Sequence, residues 1–155
     1  MSQDNELLIR RFYAAFARRD AEGMAVCYDA DVSFSDPVFR DLRGDQARAM
    51  WTMLCARATS LAITLVEARA DGDRGQARWE AVYPFSQTGR TVRNVIDARF
   101  VFANGRIVEH HDRFSLWHWA GMALGAKGWL FGWLPPVRAK IRRQAMASLA
   151  AWQRG

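Results

Sequence analysis

The sequence predicts an α+β fold in which helices cover one face of a sheet. Two features of the 155 residues carry that prediction. Apolar residues recur at three- and four-residue spacing up to about residue 58, and from Leu61 the period drops to two. Helical and strand-like stretches also fail to alternate, which separates the pattern from the βαβ repeat of a parallel sheet. With 50% hydrophobic residues, the chain can fill one core of ordinary size.

The first helix spans residues 4 to 18: Leu8, Ile9, Phe12, Tyr13 and Phe16 form one stripe, and Arg10, Arg11, Arg18 and Arg19 mark the wetter side. Asp20 suits the cap of a second, shorter helix through Tyr28. A short strand, Val32 to Ser35, stops at Asp36-Pro37, because proline offers no N–H to a ladder. Asp45 suits the cap of a third helix, in which Ala47, Met50, Trp51, Leu54, Cys55 and Ala58 keep the i, i+3, i+4, i+7 spacing. Four strand-like runs follow, "LAITLVEARA", "GQARWEAVYPF", "TVRNVIDARFVF" and "RIVEHHDRFSL". They are divided by Asp71-Gly72-Asp73, by Gln87-Thr88-Gly89 and by Asn104-Gly105, the last a type I′ hairpin signal. Such short turns imply an antiparallel meander.

The last part of the chain differs. Residues 114 to 137, "FSLWHWAGMALGAKGWLFGWLPPV", hold four of the seven tryptophans and one formal charge, Lys127, before a basic helix from Val137 to Gln153. Four glycines, Lys127 and Pro135-Pro136 interrupt the stretch too often for a bilayer span. The expected arrangement is packing on the domain or on a partner subunit, which divides the chain into residues 1–116 and a C-terminal segment, 117–155. Peripheral membrane contact through that segment is the alternative, with tryptophans at headgroup level and arginines outside.

The net charge of +6 attracts anions of any kind, and much of the excess sits between Arg138 and Arg154. "VRAKIRRQ" comes with neither an RNP-like strand nor helix-turn-helix spacing, so no nucleic-acid partner is expected. Cys27 and Cys55 fall at apolar helical positions without metal-ligand spacing and read as buried thiols of a reducing compartment. "MSQDNELL" is acidic and lacks a continuous apolar run, so the expected location is cytoplasmic.

Residues able to do chemistry collect on the last two strands. Alternation puts Val95, Asp97, Arg99 and Val101 on one face of the third run, and Val108, His110, Asp112 and Phe114 on one face of the fourth. A hairpin about Asn104-Gly105 sets Val101 by Val108, Arg99 by His110 and Asp97 by Asp112, within one register step, provided the two faces match. Two carboxylates, an imidazole and a guanidinium then share a surface, with Trp79, Ala81 and Tyr83 as apolar walls. Carboxylates drawn together out of water repel, one tends to hold a proton, and such pairs do acid and base work. On a solvated face the same residues are ordinary cross-strand ion pairs. His110, Asp112 and Asp97 lack a ligand-spacing motif, so no metal is expected. No GxSxG elbow, P-loop or dinucleotide fingerprint points to a cofactor.

"RRFYAAFARRDAEGMAVCYDADVSFSDPV" and "NVIDARFVFANGRIVEHHDRF" resemble the opening and the closing hairpin of the nuclear transport factor two superfamily. These cone-shaped α+β domains include ketosteroid isomerases, SnoaL-like polyketide cyclases and limonene epoxide hydrolase. The resemblance covers about residues 5 to 116. It implies three N-terminal helices packed on a curved antiparallel sheet, with a C-terminal helical extension. In the ketosteroid isomerases the aspartate of the Asp-Pro pair is the general base, the position of Asp36. The aspartate of an "I-D" pair on the penultimate strand is a neutral oxyanion-hole donor, the position of Asp97. In SnoaL-like cyclases an acidic residue on the last strand is the acid/base, near Asp112. The oxyanion-hole tyrosine of the first helix falls on Phe12, and Tyr13 lies about 100° further round; Tyr83 or His110 stands as the replacement donor. Asp97, Arg99 and Asp112 also resemble, loosely, the Asp-Arg-Asp set that activates water in limonene epoxide hydrolase.

What the resemblance implies is a proton-transfer enzyme, isomerase or cyclase, acting without cofactor on a small apolar carbonyl compound in an enclosed pocket. Asp36, Asp97, Asp112 and His110 would be catalytic. Phe12, Tyr13, Trp51, Trp79, Tyr83, Arg99 and Phe114 would meet the substrate, with Phe100 or Phe102 as further wall. Water activation of the epoxide-hydrolase kind, or a non-catalytic ligand-binding or dimeric scaffold, are the alternatives, and a homodimer is expected on the same basis.

Overall fold

The computed structural model describes residues 2–155. Helices α1 (Ser2–Ala17) and α2 (Ala21–Ala25) lead into strand β1 (Tyr28–Ser35), followed by a two-residue strand β2 (Leu42–Arg43) and helix α3 (Asp45–Arg57). The meander comprises β3 (Ala62–Asp71), β4 (Arg74–Pro84), β5 (Thr91–Ala103) and β6 (Arg106–Arg113). Helices α4 (Leu116–Leu124), α5 (Ala126–Phe131) and α6 (Pro135–Arg154) complete it. The predicted α+β class, the three leading helices, the meander and the helical extension are all present.

Local chemistry sets the boundaries. The Asp20 carboxylate accepts the Gly23 N–H at 3.0 Å and caps α2, as its position predicts. Asp45 does not cap α3: Gly44, at φ +51°, takes that place, and Asp45 instead opens the helix and pairs with Arg48 one turn on. At the β5–β6 turn Asn104 and Gly105 both have positive φ, the geometry a type I′ turn requires. On α1, Leu8, Ile9, Phe12, Tyr13, Ala15 and Phe16 are all buried. The stripe is wide because α1 lies in the hollow of the sheet, against β3 and β4, with α2 beside it. Only glycine fits at residue 75, where an added Cβ would run into the Phe102 ring and the Ile9 side chain.

The strand order is β2-β1-β6-β5-β4-β3. β1 runs parallel to β6, so the sheet is mixed where an antiparallel one was expected. The stretch from α3 to β5 acts as a long crossover that returns the chain beside β1 in the same direction. This pairing also lengthens β1. Tyr28 lies opposite Ile107, and the Ile107 N–H donates to the Cys27 carbonyl, so the strand begins four residues before the predicted Val32.

One residue decides which side chains face inward. In the last hairpin Phe102 pairs with Ile107 but Val101 pairs with Glu109, leaving Val108 as an extra residue in β6. Beyond it Phe100 faces His110, Arg99 faces His111, Ala98 faces Asp112, and Asp97 faces Arg113. The predicted pairing of Asp97 with Asp112 and Arg99 with His110 is the register without this bulge, and a one-residue slip exchanges the faces. The inner face of β5 is therefore Val92, Asn94, Ile96, Ala98, Phe100 and Phe102, all buried. Asp97 and Arg99 point outward.

The C-terminal helices pack on this body. Helix α4 lies on β5, and its Trp119 Nε1 donates to the Tyr83 hydroxyl at 2.8 Å. Helices α4 and α5 touch through Gly121 and Gly128, where a Cβ on Gly128 would overlap the Ala120 carbonyl. Two prolines open α6, which suits positions whose N–H has no helical partner. It packs along α3, burying Leu149, with the Arg57 guanidinium 5.6 Å from the Trp152 ring. Among the described residues no helix is long and apolar enough to cross a membrane.

Candidate functional site

The centre of the cone holds a polar chain inside an aromatic shell. Trp51 Nε1 donates to the Tyr28 hydroxyl at 2.8 Å, the hydroxyl lies 2.7 Å from His110 Nδ1, and His110 Nε2 lies 2.9 Å from Asp112 Oδ1. An indole N–H can only donate, so the Tyr28 oxygen accepts from it. With the Tyr28 proton directed to Nδ1, His110 carries its own on Nε2 and donates to Asp112, the arrangement that satisfies every hydrogen bond of the chain. The His110 ring is fully buried: Phe100 lies 4.5 Å away, Phe34 5.0 Å and Phe12 5.4 Å between centroids. Such contacts, worth roughly 0.5–1.5 kcal/mol each, hold the ring in one orientation.

Asp36 reaches the same region from the end of β1. Its Oδ1 accepts the Val38 N–H at 2.7 Å and the Phe39 N–H at 2.6 Å, while its own N–H donates to the Phe39 carbonyl at 2.7 Å. Proline at 37 suits this tight turn, because the turn needs no donor there. Burial pushes the Asp36 carboxyl up to about 7; the Asp112 charge adds to the rise, and the two backbone N–H groups oppose it. Asp36 therefore sits between acid and base near neutral pH.

Among the described residues, two donors in this interior lack a partner. Tyr13 Oη and Trp79 Nε1 are buried without a hydrogen bond, and their rings lie 5.4 Å apart. Burial holds the Tyr13 phenol well above its ordinary pKa, and the Asp112 charge adds to that, so Tyr13 is a neutral donor in electrostatic reach of Asp112. A buried polar atom without a partner costs about 1–3 kcal/mol, which a ligand oxygen or water accepting from it would relieve. Although Tyr13 is offset from the expected tyrosine position, α1 is sunk so deep that Phe12 and Tyr13 both face the core.

Of the four residues expected to be catalytic, Asp36, His110 and Asp112 come together. Asp97 does not: its side chain is 58% exposed on the outer face, with Oδ1 2.9 Å from Arg78 Nε. The bulge at Val108 puts Ala98 in the inward place instead. Arg99 is likewise outside, across from His111. Phe12, Tyr13, Trp51 and Trp79 belong to the buried cluster, whereas Tyr83 and Phe114 are half-buried. Tyr28 was not expected at the site; its even spacing from Val32 and Phe34 is the signal that places it on their face.

The rings of this shell pack on one another, with Phe34 and Trp51 5.3 Å and Phe12 and Trp51 5.6 Å apart between centroids. A cleft of about 980 Å³ opens along the outer face of β3 to β6 and ends against Asp36, Pro37, Asp112 and Phe114. Arg40, Arg138 and Arg142 line that end. Arg142 Nε donates to the Pro37 carbonyl at 2.9 Å, tying α6 to the Asp36 turn, and Arg138 Nε is buried without a partner. Burial lowers the Arg142 pKa, and the charges of Arg40 and Arg138 lower it further. Neither α6 arginine could be placed at the site from its basic run alone. Among the described residues no three His, Cys, Asp or Glu side chains are grouped to hold a metal ion.

Solved structures share this architecture. An NTF2-like protein of unknown function from Burkholderia pseudomallei is 22% identical, with a TM-score of 0.64 over 74% of this chain and 92% of its own. An epoxide hydrolase of the LEH-like type from Mycobacterium tuberculosis is 16% identical, with a TM-score of 0.67 over 86% and 98%. A protein with a ketosteroid isomerase-like fold from Catenulispora acidiphila is 14% identical, with a TM-score of 0.67 over 75% and 91%. At these identities the likeness shows the fold and no more. The sequence matches no curated protein. The SnoaL-like domain profile, however, matches residues 9–110, from the first buried turn of α1 to His110. With well over half its length matched, the chain belongs to the SnoaL-like domain family.

Proposed function

We propose that the protein catalyses proton transfer on a small, mainly apolar carbonyl compound, as an isomerase or cyclase that needs no cofactor. The observation that carries this reading is Asp36: a half-buried carboxyl pushed up to about 7, held by its turn in a cleft that Asp112 also lines. A base poised near the working pH removes and returns protons most effectively. Asp36 takes the proton from carbon next to the carbonyl. The electron pair moves onto the carbonyl oxygen, which accepts from Tyr13 Oη and, in reach of the same ring, Trp79 Nε1. Asp36 then returns the proton to another carbon of the enolate; in the cyclase case the enolate carbon adds to a second carbonyl carbon of the same molecule, whose π electrons move onto its oxygen, and Asp36 gives its proton to that alkoxide. Asp112 is a positioning residue: oriented by His110 and Tyr28, its negative charge keeps Asp36 basic.

Water activation of the epoxide-hydrolase kind finds less support, since it requires Asp97, Arg99 and Asp112 on one face. The test is exchange of α-protons for deuterium in a panel of enolisable ketones, followed by NMR. Wild type should exchange them and Asp36→Asn should lose at least about a hundredfold in rate. Equal exchange by the two proteins, or none by wild type, overturns the proposal.

A further inference from the structure

The charge and the exposed aromatic residues of this protein are concentrated in one place. Residues 114 to 155 contain six of the 22 basic residues and none of the 16 acidic ones, so the rest of the chain is electrically balanced and this segment carries the whole net charge of +6. It also contains five of the seven tryptophans. Although α4 and α6 pack on the body, a row of large apolar side chains does not. Trp117 is 43% exposed, Trp129 41%, Leu130 63%, Phe131 49% and Trp133 57%.

These side chains form a continuous surface. The Trp117 and Trp129 rings meet edge to face at 5.9 Å with His118 against both, and Trp133 Nε1 donates to the Leu130 carbonyl at 2.9 Å. Trp117 Nε1 likewise donates to the Trp129 carbonyl at 3.0 Å. Both indole N–H groups are thus turned back into the protein, and carbon faces out. The close approach at Gly121 and Gly128 fixes the α4–α5 hairpin, so the surface is formed before anything binds. Lys127 lies within the hairpin, and Lys140 and Arg143 are exposed on the helix that follows.

We propose that the α4–α5 hairpin, with the exposed cations of α5 and α6, docks the protein on the surface of a bilayer rich in anionic phospholipid without crossing it. Aromatic rings fit the headgroup boundary, and lysines and arginines beside them meet the lipid phosphates. Charge selects this occupant over a second copy of the same segment. That copy would bring like charge and no carboxylate to answer it.

The experiment is co-sedimentation of the full chain with vesicles of phosphatidylcholine alone and with about one third phosphatidylglycerol. Binding to the anionic vesicles should be at least about tenfold stronger and should weaken as salt screens it. Leu130→Ser with Phe131→Ser and Trp133→Ser should abolish it, as should Lys127→Glu with Lys140→Glu and Arg143→Glu. Brominated phosphatidylcholine in the anionic vesicles should quench the tryptophan fluorescence of wild type, a readout that needs no variant to fold. Equal binding to both vesicles, no quenching, or binding that survives both sets of substitutions in folded protein overturns the proposal. So does a lipid-free dimer that the serine variant dissociates, which would make a second copy the occupant.

Discussion

The hydroxyl of Tyr28 lies 2.7 Å from Nδ1 of His110 and at the same time accepts the indole N–H of Trp51 at 2.8 Å. Tyr28→Phe removes one oxygen and strands two buried polar atoms, with no change in volume that the shell must accommodate. The expected cost is about 2–4 kcal/mol, from the two unsatisfied groups together. Urea unfolding at unchanged m-value measures it. A loss below about 1 kcal/mol would mean that the chain of hydrogen bonds does not fix His110.

The stability of the fold should carry the signature of Asp36. Its carboxyl stands at about 7 in the folded protein against an ordinary 3.8, so the folded state binds this proton more tightly than the unfolded chain does. The stability it contributes is full below about pH 4 and is lost as the pH rises through 7. Asp36→Asn keeps the oxygen that accepts the Val38 and Phe39 N–H groups and removes the titration. It should raise stability at pH 8 by roughly 2 kcal/mol, the full linkage being screened where the cleft admits water, and change it little at pH 4. Thermal unfolding of both proteins across that range decides it.

Asp112 should set the pH at which Asp36 works. Its negative charge raises the Asp36 pKa, so Asp112→Asn lowers it and moves the ascending limb of the rate profile for α-proton exchange to lower pH. The rate at high pH should fall as well, since a weaker base accepts the proton less readily. An unshifted limb would show that the two carboxylates do not share a field.

Much of the fold is legible in the sequence because local chemistry decides it. Asp20 caps α2, Asn104-Gly105 turns the hairpin, and the α1 and α3 stripes bury the residues their spacing selects. The site is legible only in part. Asp36, His110 and Asp112 stand out as polar residues at the end of apolar runs. Their grouping with Asp97 fails because nothing local announces the bulge at Val108. The bulge is fixed by tertiary packing, which puts His110 in the aromatic shell and the charged residues of β5 in water. The β5 pattern held a usable sign: Arg93, Asp97 and Arg99 share one face, and Val92, Ile96 and Phe100 share the other. Tyr28 was hidden for a related reason. Its strand is extended by parallel pairing with β6, a partner more than seventy residues away in the chain.

The same register gives opposite expectations for two neighbours. Asp97 is exposed and paired with Arg78, so Asp97→Asn should leave both the unfolding midpoint and the exchange rate where they are. Ala98 is buried directly across from Asp112, and Ala98→Asp would put a second carboxyl in the apolar interior beside an existing negative charge. There the added group is driven to its neutral form, and the variant should be destabilised by about 3 kcal/mol or more at neutral pH and recover part of that on acidification. If instead Asp97→Asn abolished exchange and Ala98→Asp were tolerated, the faces of β5 would be the reverse of those described. Asp97 would then belong with Asp36 and Asp112 after all.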